Sequence, residues 1–467
     1  LAFDPQGRLT VGRENRGLLR LTLGKTSVEQ VEVIDDTLLE CRGLLYAFGS
    51  LYANANNSKG FYRLRDTNGD DRFDQVELLL KTEGGVGHGR NHIRLGPDNM
   101  IYLAHGNNVL LPPALRNQPP HRNYQEDQLI PNPWDARMFD GNMVAPAGHI
   151  LRTDRDGKTW QMVAGGFRNE LDVAFNPDGE LFTYDADMEG DVAAPWYRTT
   201  RINHVVSAGE YGWRRGAGKF PAYYADSLPS NHDIGVGSPT GIEFGTHSHF
   251  PPAYREALFV SDWAYGRIIA VHLQPQGASY GAVSETFVSG RPLNVTDLAF
   301  GPDGAMYFIT GGRRTQSGLY RVSYLGARNQ KLRKSADALD RERQAAKSRE
   351  LRHQLESFHR DPQPGESPAI VATVWPHLGN PDFWIRYAAR IALEQQPARF
   401  WQDKALAEAP VDARLTALMA LARTGESRLQ TLLVARLNGL PLAALTEAQQ
   451  LHALRDYALA FIRMGTP

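Results

Sequence analysis

Four times along the chain an apolar run stops at Pro, a short polar turn follows, and a second apolar run begins. The copies are LAFDPQGRLTV (1–11), IRLGPDNMIYL (93–103), DVAFNPDGELFTY (172–184) and DLAFGPDGAMYFI (297–309). Each predicts a β-hairpin, because Pro fixes the first turn position and Gly or Asn tolerates the left-handed one. Two weaker copies fill the gaps: GLLYAFGSLYANA (43–55) lacks the turn Pro, and TGIEFGTHSHFPPAYREALFVSDW (240–263) carries a longer loop. Further short strands such as KGFYRLRD and GLYRVSY follow the hairpins. Six hairpins at intervals predict radial blades around a central channel, so residues 1–325 read as a six-bladed β-propeller and the chain as mainly β.

The period changes after that point. Residues 327–359 are charged, free of Pro and rich in helix formers, which predicts a long exposed helix within a linker over 326–366. Beyond the break RDPQPGESP, segments such as PDFWIRYAARIALEQ, DARLTALMALART and TEAQQLHALRDYALAFIRM show paired, Ala/Leu-rich helical patterning. They predict a small HEAT-like α-solenoid over 367–467, a brace without chemistry of its own. Arg386 and Arg390, four residues apart, read as solvated or intra-repeat groups.

Composition narrows the function classes. Among 467 residues, 51 Lys+Arg balance 52 Asp+Glu, for a formal net charge of -1. No overall field draws the chain to nucleic acid or an acidic membrane. The single cysteine, Cys41, excludes an internal disulfide framework and a C-x-x-C-H haem attachment within these residues. No apolar run of about 18 residues is present, so no transmembrane segment is expected in this chain. The sequence opens inside a repeat unit, which predicts an upstream segment.

Propeller sites form where loops entering the innermost strands meet at the channel mouth. In GGVGHGRNH (84–92), a Gly-rich lead-in carries His88, Arg90, Asn91 and His92 to such a position. The near-neutral pKa of His88 suits it to accept a proton from a hydroxyl, whereas His92, closer to the strand, reads as structural. One blade later, GGFRN places Arg168 and Asn169 equivalently, and a guanidinium there suits an anion. Asp262 with Trp263, Arg291 with Asn294, and Arg313 with Arg314 complete the ring. In YDADMEGD, Asp185, Asp187, Glu189 and Asp191 alternate and would share one face of an extended segment. Their mutual repulsion predicts a metal ion or Arg168 beside them. A separate loop, DTNGDDRFDQVE, sets Asp66, Asn68, Asp70, Asp74 and Glu77 at calcium-loop positions 1, 3, 5, 9 and 12, although Asp71 stands where Gly is usual. It predicts a structural calcium site.

The segments GHGRNHIRLGPDNMIYLAHGN, GGFRNELDVAFNPDGELFTYDADME, NHVVSAGEYGWRRG, SPTGIEFG and GGRRTQSGLYRVSY resemble the soluble glucose and sorbosone dehydrogenases that use pyrroloquinoline quinone (PQQ). They resemble still more the membrane-bound-type dehydrogenase domains of planctomycete and verrucomicrobial bacteria, in which HEAT-like repeats and a cytochrome c domain follow the propeller. In the quinone enzymes the catalytic base is a His eight residues before the Gly of Gly-Pro-Asp, which corresponds to His88. The Arg of their Gly-x-Arg-Asn motif corresponds to Arg168, followed by Asn169. The resemblance therefore implies His88 and Arg168 as catalytic residues and Arg90, Asn91, Asn169, Arg313 and Arg314 at the cofactor. This chain departs from the family in two places. Asn294-Val295-Thr296-Asp297 replaces the Arg-x-Arg-Asp that clamps the cofactor, and YDADMEGD replaces the calcium segment.

The resulting expectation is an extracytoplasmic, periplasmic oxidoreductase acting on a small carbohydrate or alcohol and passing electrons to a cytochrome c. Two alternatives stand beside it. One is a metal-dependent carbohydrate or lactone hydrolase or lyase on a propeller; the other is a non-catalytic propeller that binds glycans or partners.

Overall fold

A computed structural model describes residues 1–129, 143–186, 194, 196–216, 218–327 and 334–465. Six main sheets, each built on an antiparallel meander, follow one another along the chain, the third extended by Gly209–Glu210 in parallel pairing. Blade 1 comprises Ala2–Phe3, Leu9–Gly12, Leu18–Leu23 and Val28–Asp35, and blade 2 comprises Cys41–Ala47, Ser50–Ala55, Gly60–Arg65 and Gln75–Lys81. Blade 3 is built on Arg90–Leu95, Ile101–His105, Gly148–Thr153 and Trp160–Phe167, and blade 4 on Val173–Phe175, Leu181–Asp185, Thr200–Val205 and His232–Gly235. Blade 5 uses Pro239–Phe244, Leu258–Asp262, Arg267–Gln276 and Ser279–Ser289; blade 6 uses Val295–Phe300, Met306–Thr310 and Gly318–Val322. All six expected hairpins form the two innermost strands of their blades, in the six-bladed propeller that the repeats predict.

The turn chemistry explains the repeats. Asn99, Gly179 and Gly304 all adopt positive φ, at 59°, 81° and 71°. In the first turn Asp98 Oδ1 accepts from Met100 N at 3.1 Å, and in the next Asn176 Oδ1 accepts from Glu180 N at 2.9 Å. These side chains stand in for backbone partners that a tight turn lacks.

Apolar residues on both faces of each blade pack against the neighbours, giving a separate core at each blade junction. Tyr52, Phe61, Ile93 and Leu103 join blades 2 and 3, while Phe182, Ile202, Ile242 and Val260 join blades 4 and 5. Leu9, Leu21 and Ala299 close blade 1 onto blade 6. Ring closure leaves the first strands around a central channel, with polar residues at its mouth.

The helices form a second body against the propeller. Ala336–Glu356 lies beside Phe383–Glu394, which packs on Val411–Thr424, which packs on Glu447–Met464. The first of these helices is not fully solvated, as its charge pattern had implied. Arg349 and Arg352 are buried, and Arg352 donates to Glu180 at 2.6 Å and to the Ala278 carbonyl at 3.1 Å. Arg390 likewise is buried beside Glu394 rather than solvated. The interface is strongly ionic: Arg455 pairs with Asp226 at 2.8 Å, Arg423 with the same Asp226 at 3.2 Å, and Arg463 with Asp127 at 2.6 Å. Tyr387 adds a donated bond to the Ala208 carbonyl at 2.9 Å. No helix among the described residues is long and apolar enough to cross a membrane.

Candidate functional site

A funnel of 1280 Å³ opens at the channel mouth, and His88, Arg168, Asn169, Trp263 and Arg313 all line it. The loops entering blades 3 and 4 and the loop closing blade 6 therefore deliver their polar groups to one space.

His88 precedes the first strand of blade 3. Its Nδ1 lies 2.8 Å from Asn107 Oδ1, and its backbone N donates to Asn108 Oδ1 at 2.9 Å. Asn107 Oδ1 also accepts from Asn108 Nδ2 at 3.4 Å. An amide oxygen can only accept, so the proton of a neutral His88 sits on Nδ1 and the basic lone pair on Nε2. The Asn107 backbone N donates to the Arg168 carbonyl at 2.9 Å. One asparagine thus orients the imidazole and anchors the neighbouring loop. Asn107 and Gly106 were absent from the sequence expectations, although HGNN directly after the hairpin was the available signal. A Cβ at Gly106 would lie 2.7 Å from Asn169 Oδ1 and 2.8 Å from the His88 backbone carbon, so only glycine allows this approach.

The Arg168 loop is held by Asp185. This fully buried carboxylate accepts from the backbone N atoms of Arg168, Asn169 and Ala186 at 3.1, 2.9 and 2.9 Å, and Arg201 stands 3.5 Å away. Asp185, expected as a metal ligand, instead serves as the acceptor that shapes the loop. Asp187, Glu189 and Asp191 lie outside the described residues.

Arg90 and Asn91, expected at a cofactor, likewise hold loops in place. Arg90 is fully buried and donates to Thr82 Oγ1 at 2.6 Å and to the carbonyls of Gly85, Thr82 and Glu83 at 2.9, 3.0 and 3.0 Å. Burial lowers its pKa to about 10. It staples the Gly-rich loop and does not line the funnel. Asn91 is also fully buried, donating to Asn169 Oδ1 at 3.1 Å and the Glu170 carbonyl at 2.9 Å while accepting from Arg42 at 3.2 Å. It ties blades 2, 3 and 4 together.

At the lip, Gly311, Gly312, Arg313 and Arg314 have consecutive positive φ values of 148°, 79°, 50° and 64°. Left-handed backbone at two arginines is strained and recurs at functional sites. It lays the Arg313 guanidinium over the Trp263 ring at 5.1 Å. Arg314 does not line the funnel; its backbone N meets Glu14 at 3.3 Å.

Lower in the channel, His92 Nδ1 lies 3.0 Å from Asp172 Oδ1, and Nε2 lies 3.6 Å from Asp297 Oδ2. Burial disfavours the His92 cation, but the Asp172 and Asp297 carboxylates outweigh it and raise the pKa. Arg94 reaches Asp172 Oδ2 at 3.2 Å, and burial lifts Glu243 to about 7.

The 66–77 loop is remote from the funnel, between the outer strands of blade 2. Asp66 accepts from Gly69 N and Asp71 N at 2.7 and 2.8 Å, Asn68 from Asp70 N at 2.9 Å, and Asp70 from Arg72 N at 3.0 Å. Asp74 accepts from Thr67 Oγ1 at 2.6 Å. Glu77, expected at position 12, turns instead to Arg63 at 2.7 Å because it belongs to the adjoining strand. Asp71, at the usual glycine position, pairs with Arg20 at 3.0 Å and so fastens the loop to blade 1.

Fold and site together define a six-bladed propeller with a polar, cation-lined funnel. Residues 24–310 match the family described as a domain of unknown function, DUF7133, and the chain belongs to that family. No curated protein matches the sequence. Among solved structures, the chain is similar to an oxidoreductase (glucose dehydrogenase) from Thermus thermophilus. That likeness has 20% identity and a TM-score of 0.49, covering 69% of this chain and 95% of that one. A PQQ-bound aldose sugar dehydrogenase from Streptomyces coelicolor aligns at 17% identity and a TM-score of 0.46, covering 68% and 90%. The PQQ domain of a pyranose dehydrogenase from Coprinopsis cinerea aligns at 13% and 0.46, covering 66% and 88%.

Proposed function

We propose that the protein is a sugar or alcohol dehydrogenase-like oxidoreductase. One observation carries this reading: Asn107 fixes His88 with its lone pair on Nε2, in a funnel whose wall also holds Arg168. An imidazole oriented in this way is suited, when neutral, to take the proton of a substrate hydroxyl. The Arg168 guanidinium supplies positive charge where an alkoxide or other anion develops.

The donor set fits the tricarboxylate cofactor that the sequence resemblance implies. Arg13, Arg42, Arg168 and Arg313 line the funnel, and Trp263 offers a flat apolar wall. Arg13, Arg168 and Arg313, with Asn169, would hold PQQ in place of the missing Arg-x-Arg-Asp, whereas Arg42 is taken up by Glu40 and Asn91. When bound, the quinone supplies a two-electron acceptor for hydride leaving the carbinol carbon. In this reading the residual role of the chain is to orient the alcohol, remove its proton at His88 and keep bulk water from the site. Calcium in the 66–77 loop is part of the proposal as a structural ion, held by Asp66, Asn68, Asp70 and Asp74. An extracytoplasmic setting and a cytochrome c acceptor complete it.

The test is reconstitution with PQQ and calcium, followed by dye reduction over a panel of aldoses and polyols. Turnover is expected, and His88→Ala should lower kcat by roughly 10²- to 10⁴-fold. Metal-dependent lactone or glycoside cleavage without an electron acceptor would replace this reading with hydrolysis. Ligand binding with no turnover on any substrate would leave a glycan-binding propeller.

A further inference from the structure

His92, Asp172 and Asp297 each offer a ligand atom within 4.8 Å of the others, the one such group of three among the described residues. They come from the first strands of blades 3 and 6 and the residue preceding the first strand of blade 4, so ring closure alone assembles them. We propose that this cluster binds one divalent metal ion of the zinc type at the floor of the funnel, through His92 Nε2 and Asp297 with Asp172 beside them.

The imidazole is prepared as a ligand. Its Nδ1 faces two acceptors, Asp172 Oδ1 at 3.0 Å and the Ile93 carbonyl at 3.1 Å, so Nδ1 keeps its proton and a binding ion takes the place of any proton on Nε2. This carboxylate–imidazole pairing fixes ring orientation and basicity in many metal sites. Nε2 is left without a hydrogen-bond partner although His92 is only 3% exposed. A buried polar atom of that kind calls for an explanation.

The remaining distance has room for an ion. Nε2 to Asp297 Oδ2 is 3.6 Å, too long for a hydrogen bond. Two ligands on one zinc-type ion, each at about 2.1 Å and separated by a roughly tetrahedral angle, stand about 3.4–3.6 Å apart. The span therefore suits an ion seated between the two atoms. The other charged groups facing the cluster are Arg94 on Asp172 and Glu243. His92, Asp297 and Leu1 all line the funnel, so an ion can enter and keep open coordination positions toward it. Mixed nitrogen and oxygen donors favour zinc or cobalt over calcium, which takes oxygen only. The inference does not depend on the oxidoreductase reading.

Chelator-stripped full-length protein is titrated with Zn²⁺ and Co²⁺, following stoichiometry by elemental analysis and geometry by the visible Co²⁺ spectrum. One ion per chain with an intense, tetrahedral-type Co²⁺ spectrum is expected. His92→Gln and Asp297→Asn should each weaken binding by roughly 100-fold, whereas His88→Gln and Asp70→Asn should not. Should a variant fail to fold, the unmutated protein decides by NMR: Co²⁺ must shift the His92 imidazole resonances paramagnetically. No ion bound, unchanged affinity in folded His92→Gln, or an unshifted His92 signal would each overturn the proposal.

Discussion

Asn107 Oδ1 accepts from His88 Nδ1 at 2.8 Å, while the backbone N of the same asparagine holds the Arg168 carbonyl at 2.9 Å. Asn107→Ala removes the first contact and leaves the second. The imidazole can then rotate or change tautomer, and the expected result is a roughly tenfold or larger fall in kcat with KM little changed. Steady-state kinetics and a flattened pH–rate profile would show it; unaltered kcat would mean that Asn107 does not set the imidazole.

Gly106 is a packing constraint on the same corner. Gly106→Ala drives a methyl toward Asn169 Oδ1 and the His88 backbone. A loss of roughly 1–3 kcal/mol is expected from overpacking, read as a lower denaturation midpoint. Stability equal to the parent would show that the loop yields freely.

Glu170 gives a pH signature. It is fully buried, neither carboxylate oxygen has a partner, and burial together with Asp185 holds its pKa well above the usual range. The folded group stays protonated where the unfolded one ionises, above about 4.3. The unfolded state thus binds fewer protons, so stability falls as pH rises above that value. Glu170→Gln keeps the shape without the titration and should gain on the parent protein between about pH 5 and pH 8. Urea unfolding at both values checks this, and a constant difference would refute it.

The helical body is fastened by buried ions. Asp226 takes Arg455 and Arg423 together, and these contacts hold its pKa far below the ordinary carboxylate range despite burial. Asp226→Ala leaves two buried guanidinium groups without their shared carboxylate, and a loss of roughly 3–5 kcal/mol is expected. Because Asp127 and Asn123 of the loop beyond Asn107 bind the same helices, the funnel corner should loosen too. Hydrogen exchange at residues 105–109 should rise in the variant; unchanged protection would separate the two bodies energetically.

Strand and hairpin positions followed from local chemistry: alternating apolar residues, a Pro to open four of the turns and a Gly or Asn able to adopt positive φ. Those demands act within about ten residues, so the sequence by itself determined the six hairpins and the change to helices. It also carried the Gly-rich entry to blade 3 and the presence of His88 and Arg168 in equivalent loops. Which polar groups serve a ligand was not legible locally. His88 and Arg90 are two residues apart, yet one lines the funnel and the other spends its donors on carbonyls inside the loop. Asp185 looked like a metal ligand by alternation and became a loop anchor because three amides converge on it. Tertiary structure decided these outcomes, as it did the meeting of His92 with Asp172 and Asp297. Direction and burial of a side chain depend on blades that are distant in sequence and become neighbours only when the ring closes.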